Sequence, residues 1–256
     1  ATCGAGGAVG RGGWGRLAVS DSRSASDDGI GGAAILHEDP TERYERVVRR
    51  VSVFGVRLHG RRLTTRRNRL LAGGPDSTVS TLLIRHGETR WNAAGRIQGW
   101  APVPLSDRGR EQAAQVGSAL VADEDVDRIV SSDLRRTHET ATVIAEAVGA
   151  DVETDSRLRE RDFGVFQGVA SATFFERHPA FDLLEAGEDA LATAPESGES
   201  WTAVRERVRA AAADVVGRPG TTAVVTHVNP IRLLVGERRG LDPIRSLTEL
   251  SFANCS

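Results

Sequence analysis

The 256-residue chain contains no lysine and no methionine. All 33 of its basic side chains are therefore arginine, which stays charged and presents a planar fork of donors rather than a point charge. Only two cysteines occur, Cys3 and Cys255, near opposite ends. Two such distant thiols argue against a disulfide framework and against a thiolate metal site, and they make a reducing, cytoplasmic setting the expectation. No apolar run approaches the roughly 20 residues that a membrane-spanning helix needs. The opening residues lack the continuous apolar core of a secretory signal. With a net charge of −2 and a pI near 6.4, nothing draws the whole chain toward nucleic acid or a membrane surface.

What is present divides in two. At 39% hydrophobic residues, the chain can bury one α/β domain or two small ones. Residues 1–77 hold 13 Arg against 8 acidic residues, and residues 78–256 hold 20 Arg against 27. The first part is Gly- and Arg-rich and has no regular alternation of apolar segments. Residues 1–78 are thus expected to be a poorly ordered extension, with residues 79–256 as the domain. Within the extension, "TERYERVVRRVSVFGVRL" is compatible with a short helix or strand. The arginines between Arg61 and Arg69 read as a solvated tail rather than a nucleic-acid arm. A second reading of the extension is that it is not native, Val79 being the natural start.

From Val79 onward strands and helices alternate. "VSTLLIR", "VDRIVSS", "ADVETDSRLRE" and "TTAVVTH" read as strands. "LSDRGREQAAQVGSALV" reads as a helix capped by Ser106, and "SDLRRTHETATVIAEAVG" as one capped by Ser132 and closed by Gly149. "ESWTAVRERVRAAAADVVG" is a further helix, and "NPIRLLVGERRG" opens another with Asn229 as cap and Pro230 in its first turn. The alternation predicts an α/β fold, a three-layer sandwich with a mostly parallel central sheet flanked by helices.

Two of the predicted strands run directly into histidine, "TLLIR" into His86 and "TAVVT" into His227. In open α/β sheets ligands bind beyond the carboxyl ends of strands, so two histidines there, with Arg85 beside one, mark a candidate site. Gly87 leaves room for a ligand to approach the backbone. Imidazoles and a carboxylate such as Glu160 are also good metal ligands. Yet Arg85 and Arg136 would repel a cation and suit a phosphoryl group, which guanidinium binds in bidentate fashion. Helix N-termini at the same edge favour an anion as well.

"LIRHGETRWN" resembles the opening motif of the histidine phosphatase superfamily, in the branch of the cofactor-dependent phosphoglycerate mutases and their phosphatase relatives. "GRIQGWAPVPLSDRGREQA", "SSDLRRTHETA", "LRERDFGVFQG", "ESGESWTAVRERV" and "VVTHVNPIRLLV" resemble its later motifs in order, over about Ser80–Ser256. The resemblance implies a phosphoglycerate mutase-like fold. It implies that His86 is the nucleophile that becomes phosphorylated, that Arg85, Arg136 and His227 hold the phosphoryl oxygens, and that Glu160 is the proton donor. Asn92 becomes a further polar contact to the phosphoryl group, and Gln98 and Gly99 border the pocket. No cofactor and no metal are implied, and the partner is a small phosphorylated substrate; a homodimer stays open. Two departures stand out. Val228 follows His227 where many relatives have glycine, and the chain ends at "SFANCS", where relatives continue into a last strand, so a truncated C-terminus is expected.

The chemistry of the residues agrees with this. An imidazole nitrogen attacks phosphorus directly, fixed positive donors stabilise the transferring group, and a carboxylic acid protonates the leaving alkoxide. The expected activity is that of a phosphomonoester phosphatase acting through phosphohistidine. A cofactor-dependent phosphoglycerate mutase and a non-catalytic phospho-ligand binding module are the alternatives. Arg135, His138 and His178 are read as outside the site, and Trp91 and Trp100 as loop anchors. Glu160 has the competing reading of a partner for Arg159 or Arg161. Phe174, Phe175 and Phe181, between Glu160 and His227, either line the pocket or pack a lid.

Overall fold

The computed structural model describes residues 51–53, 80–216 and 218–256. The arginines of 61–69, Cys3 and most of the expected extension lie outside the described residues. Five strands form one sheet in the order β1-β2-β5-β3-β4, with every neighbouring pair parallel. They are β1 (Val51–Val53), β2 (Ser80–Arg85), β3 (Arg128–Ser131), β4 (Val152–Thr154) and β5 (Thr221–Thr226). Strand β1 lies inside the segment compatible with helix or strand, so the boundary expected at residue 78 has one strand of the sheet on its N-terminal side. It pairs with β2 from Val51↔Thr81 to Val53↔Leu83. Beyond it, Cys255 N–H donates to Arg85 O (3.0 Å) and Arg85 N–H to Ser256 O (3.3 Å), which brings the tail against the end of β2.

Alternation along the strands sends side chains to both faces of the sheet. Leu82, Ile84, Ile129, Ala223 and Val225 pack against α2 (Asp107–Asp123) and α3 (Arg135–Val148) through Val116, Leu120, Ala141 and Ile144. Leu83, Val130 and Val224 face the opposite way, onto α6 (Trp201–Val215) and α7 (Val228–Arg238) through Val204, Val208, Ala211 and Ile231. The result is the expected three-layer α/β arrangement. Three shorter helices, α1 (Arg90–Ala93), α4 (Ser171–Arg177) and α5 (Glu188–Ala192), lie in the connections, and α8 (Pro243–Glu249) follows α7. No described helix is long and apolar enough to cross a membrane.

Helix starts follow the capping chemistry in part. Ser106 and Ser200 cap α2 and α6, accepting the N–H groups of Gly109 and Ala203. Gly149 closes α3 in the left-handed region, at φ 73°. Two expected caps are displaced. Leu134 rather than Ser132 is the cap residue of α3, and the Ser132 hydroxyl lies 2.9 Å from His227 Nε2. Helix α7 starts two residues early, with His227 as cap residue in extended backbone (φ −119°, ψ 169°), so Asn229 and Pro230 fall inside its first turn. Pro costs nothing there, since the first-turn N–H groups have no helical acceptor. Both displacements put polar side chains at the carboxyl edge of the sheet.

Candidate active site

His86 follows the last residue of β2. Its N–H donates to Thr226 O at 3.0 Å, extending the ladder to the residue before His227. The ring is 3% exposed. Its Nδ1 lies 2.7 Å from Gly87 O, an acceptor only, so Nδ1 carries the proton and Nε2 keeps its lone pair. That lone pair faces the Nε–H of Arg136 at 3.3 Å. Gly87 was expected to admit a ligand close to the backbone. What approaches instead is helix α2: a Cβ on Gly87 would run into the carbonyl of Gly109. Gly87 N–H donates to Thr140 Oγ1 (3.0 Å) on α3, so the loop after β2 is pinned to both helices of that layer.

Arg136, the second residue of α3, is 1% exposed. Its Nη2 donates to Gly99 O (2.8 Å) and Nη1 to Ala101 O (3.3 Å), which fixes the fork and directs Nε at His86. Gly99 holds that carbonyl from the left-handed region (φ +50°), where a Cβ would meet Gln167 Oε1 and Phe163 N. The Gln98 side chain accepts from Thr89 Oγ1 (2.8 Å). Thr89 and Asn92 form a reciprocal capping box on α1: Asn92 Oδ1 accepts Thr89 N–H, and Thr89 Oγ1 accepts Asn92 N–H, both at 3.1 Å. The Asn92 NH₂ group is thereby left as the available donor.

His227 is completely buried, its ring centroid 5.2 Å from that of His86. Ser132 Oγ lies 2.9 Å from Nε2 and accepts Leu134 N–H (3.4 Å); its second lone pair and its proton allow it either to accept from Nε2 or to donate to it, and in the second case Nδ1 carries the ring proton. That Nδ1 has no partner, and neither does the buried Nε of Arg85, whose Nη1 donates to Phe252 O at 2.6 Å. Buried polar groups are normally satisfied; the orphaned Nε–H of Arg85, beside a His227 Nδ1 that is a donor when Ser132 donates to Nε2, suits an anion.

Glu160 is 7% exposed. Its Oε1 accepts from Arg161 N–H (2.8 Å) and Asn229 Nδ2 (3.0 Å). The competing reading fails on this geometry. Arg159 pairs with Asp133, and the Arg161 guanidinium donates to Glu199 O and Thr193 O and stacks 4.4 Å over Trp201. Every expected site residue except His227 lines one cavity of about 350 Å³. His227 adjoins it through His86.

The description "Histidine phosphatase superfamily (branch 1)" matches residues 81–256. The chain belongs to the histidine phosphatase superfamily. Probable phosphoglycerate mutase GpmB of Salmonella arizonae is 40% identical over 182 residues, covering 70% of this chain and 82% of that one. A solved mycobacterial glucosyl-3-phosphoglycerate phosphatase complexed with VO3 is 31% identical with a TM-score of 0.59, covering 68% of this chain and 87% of its own. A phosphoserine phosphatase from Entamoeba histolytica, solved with 3-phosphoglyceric acid, is 26% identical with a TM-score of 0.58, covering 68% and 86%.

In this member of the histidine phosphatase superfamily both imidazoles are held neutral. Burial first, then the charges of Arg136 and Arg85, push His86 well below its ordinary pKa, against the opposing pull of the Gly87 carbonyl. Burial, Arg136 and His86 do the same to His227. Burial brings Arg136 down to about 10, with Glu160 opposing, so it remains a cation at neutral pH.

Several site residues carry no motif signal strong enough to be found from sequence. Arg207 donates to the carbonyls of Arg157 (2.8 Å), Arg159 (2.6 Å) and Glu160 (2.8 Å) and pairs with Glu199 (2.8 Å). It thus clamps the turn that presents Glu160. The one available signal is its place on α6 between buried Val204 and Val208, where an arginine needs a partner. Trp100, expected as a loop anchor, acts on the same turn by donating Nε1–H to Glu160 O (2.7 Å). Arg96, Arg232, Asn229 and Phe175 also line the cavity. The phenylalanines divide: Phe175 borders the cavity and is 40% exposed, whereas Phe174 and Phe181 pack into the core with His178. Arg135 is exposed and paired with Glu139, and His138 is exposed.

Proposed function

We propose that the chain is a metal-independent phosphomonoester phosphatase that works on a small phosphorylated metabolite through phosphohistidine at His86. The observation that carries this reading is the buried, neutral His86, its Nε2 lone pair directed at the Arg136 guanidinium in a cavity that also holds the Glu160 carboxyl. On binding, the phosphoryl oxygens take up the orphaned donors of Arg85 and His227 and share Arg136. The Nε2 lone pair attacks phosphorus. The N–P bond forms as the ester O–P bond breaks, and protonated Glu160 gives its proton to the departing alkoxide. In the second half Glu160, now a carboxylate, takes a proton from water. The water oxygen bonds to phosphorus, the N–P bond breaks, and the pair returns to Nε2. Fixed guanidinium and imidazole donors supply the charge stabilisation throughout.

Two features support hydrolysis over transfer. Exposed Phe175 and Arg96 border the cavity, so bulk water reaches it, and the segment between Glu160 and His227 is compact. The mutase reading draws on the name of the GpmB relative. Incubation with 3-phosphoglycerate, with and without 2,3-bisphosphoglycerate, separates the two. Phosphate release is expected as the main outcome in both cases, whereas conversion to 2-phosphoglycerate as the main product would replace the phosphatase by a mutase. Activity on p-nitrophenyl phosphate is expected to survive EDTA and to be inhibited by vanadate; activity that is lost on chelation and returns with zinc or manganese would overturn the metal-independent mechanism.

A further inference from the structure

We infer that Gln167 is a positioning residue for the phosphoryl site: it locks the peptide plane that holds the Arg136 fork. This rests on the phosphatase reading for the role of Arg136. The buried fork has two carbonyl supports, Gly99 O at 2.8 Å from Nη2 and Ala101 O at 3.3 Å from Nη1. Neither belongs to a helix or strand. The shorter contact comes from Gly99, which stands at φ +50°. Glycine lets a peptide plane turn at little cost, so the backbone of Gly99 cannot by itself keep that carbonyl on Arg136.

Gln167 supplies the constraint. The Gly99 carbonyl and the Trp100 N–H are the two ends of one peptide unit, and that N–H donates to Gln167 Oε1. The Trp100 N–H has no other acceptor among the described residues. Ala101 N–H donates to the same oxygen at 2.8 Å and also reaches Gln98 O at 3.0 Å. Two donors converging on one side-chain atom require the amide oxygen there, since the amide nitrogen only donates. The plane is thus gripped at both ends, by a guanidinium at its oxygen and by an amide oxygen at its nitrogen. Each bond polarises the peptide in the sense that strengthens the other. Were the plane to turn over, the Trp100 N–H would face the Arg136 cation and the Gly99 carbonyl would face Gln167 Oε1, so both contacts would become repulsive.

Gln167 acts from outside the cavity. It is half-buried, follows the short 3₁₀ turn Gly164–Phe166 and does not line the cavity. The chain around it is fixed to the neighbouring stretch, with Gly168 N–H on Ile97 O (2.8 Å) and Ile97 N–H on Val169 O (2.9 Å). The oxygen is therefore presented from a segment that is itself anchored. Trp100 also donates Nε1–H to Glu160 O, so the loop touches the acid as well, but through the indole rather than the peptide plane. The two routes have different consequences. A displaced Arg136 weakens the hold on the phosphoryl group of every ester, whereas a displaced Glu160 slows the esters with poor leaving groups.

The test uses the full chain and compares Gln167→Leu, which removes the acceptor, with Gln167→Glu, which keeps it. Gln167→Leu is expected to lower kcat/KM by about 10- to 100-fold, the scale on which small misplacements act, and equally on alkyl phosphates and p-nitrophenyl phosphate. Vanadate inhibition is expected to weaken by about tenfold, the worth of a hydrogen bond to a charged group. Gln167→Glu is expected to stay close to wild type in all three measurements. In an Arg136→Lys background, where no fork remains to be held, Gln167→Leu is expected to leave vanadate inhibition nearly unchanged. Vanadate inhibition unaltered by Gln167→Leu alone, a loss confined to alkyl phosphates, a Gln167→Glu chain as impaired as Gln167→Leu, or an effect of full size in the Arg136→Lys background would overturn the inference. Should Gln167→Leu fail to fold, Gln167→Asn decides: its amide is too short to reach both N–H groups, and it is expected to show the same losses. A wild-type chain that hydrolyses no phosphomonoester would remove the phosphatase reading; calorimetry of vanadate binding to the same variants then decides the positioning role separately.

Discussion

Two sets of side chains build the cavity, and they are anchored in different ways. His86, Arg136 and His227 come directly off the sheet and the start of α3, and none is more than 3% exposed. They are fixed by the β2–β5 ladder, the Gly99 and Ala101 carbonyls and Ser132. Glu160, Asn229, Arg232 and Phe175 sit on an irregular turn, the flank of α7 and a short helix; the first three are linked by side-chain hydrogen bonds through Asn229, and Phe175 borders open solvent. In the proposed mechanism the first set meets the phosphoryl group, which is common to every phosphomonoester, and the second meets the leaving group, which varies. A rigid reacting centre beside a more adaptable rim lets one fold keep its chemistry while its substrate changes.

The comparison breaks most visibly at His86. His86→Ala is expected to lower phosphatase turnover by about 10^5-fold or more, as loss of a covalent nucleophile does; retention of substantial turnover by the purified variant would remove the residue from that role. Glu160→Gln belongs to the second set, so its effect is expected to depend on the leaving group. Alkyl phosphates should slow by roughly 100- to 10,000-fold, the usual range for general acid catalysis, and p-nitrophenyl phosphate far less. Equal losses on both would end the acid assignment. Arg207→Ala loosens the turn that carries Glu160 and is expected to lower kcat on alkyl phosphates by about 10- to 100-fold, the scale on which small misplacements act, with KM nearly unchanged and p-nitrophenyl phosphate again spared. A loss of equal size on both substrates would make Arg207 merely structural.

The smallest expected effect is on stability. Burial holds His86 and His227 far below their ordinary value of 6.5. As pH falls through about 6.5 the unfolded chain binds protons that the folded chain refuses, so stability is present above that pH and lost below it. The slope is about 1.4 kcal/mol per pH unit for each histidine. Chemical denaturation between pH 7 and pH 5 should therefore show a shallower loss for His86→Ala than for the wild-type chain, and identical slopes would mean the ring is not held neutral.

The two histidines of the rigid set were legible in the sequence because they sit where apolar runs stop, "TLLIR" and "TAVVT" each ending at a histidine; Arg136, the second residue of the helix after β3, was picked out through the resemblance of "SSDLRRTHETA". Glu160 was legible through the resemblance of "LRERDFGVFQG". The second set was much less so. Asn229 next to Pro230 has the composition of a helix cap, and only the extended backbone of His227 shows that the helix begins earlier and frees Asn229 for Glu160. Arg207 and Arg232 lie on helices far along the chain from their acceptors at Arg157–Glu160 and Leu250, and nothing local specifies such pairings. Gly87 was assigned the right property and the wrong neighbour, since the close approach of Gly109 is tertiary. The strand Val51–Val53 lies in an Arg-rich stretch that was read as compatible with either helix or strand, and Val-Ser-Val is too short to show which period applies.

The most direct test is to trap the intermediate. The full-length protein is mixed with p-nitrophenyl phosphate, quenched in alkali to preserve phosphohistidine, digested and mapped by mass spectrometry, alongside His86→Ala. The account predicts one phosphoryl group on the peptide "HGETR", at His86, formed and discharged fast enough to support turnover and absent from the variant. A chain that turns over the ester with no phosphorylated histidine, or with the phosphoryl group on another residue, would contradict it.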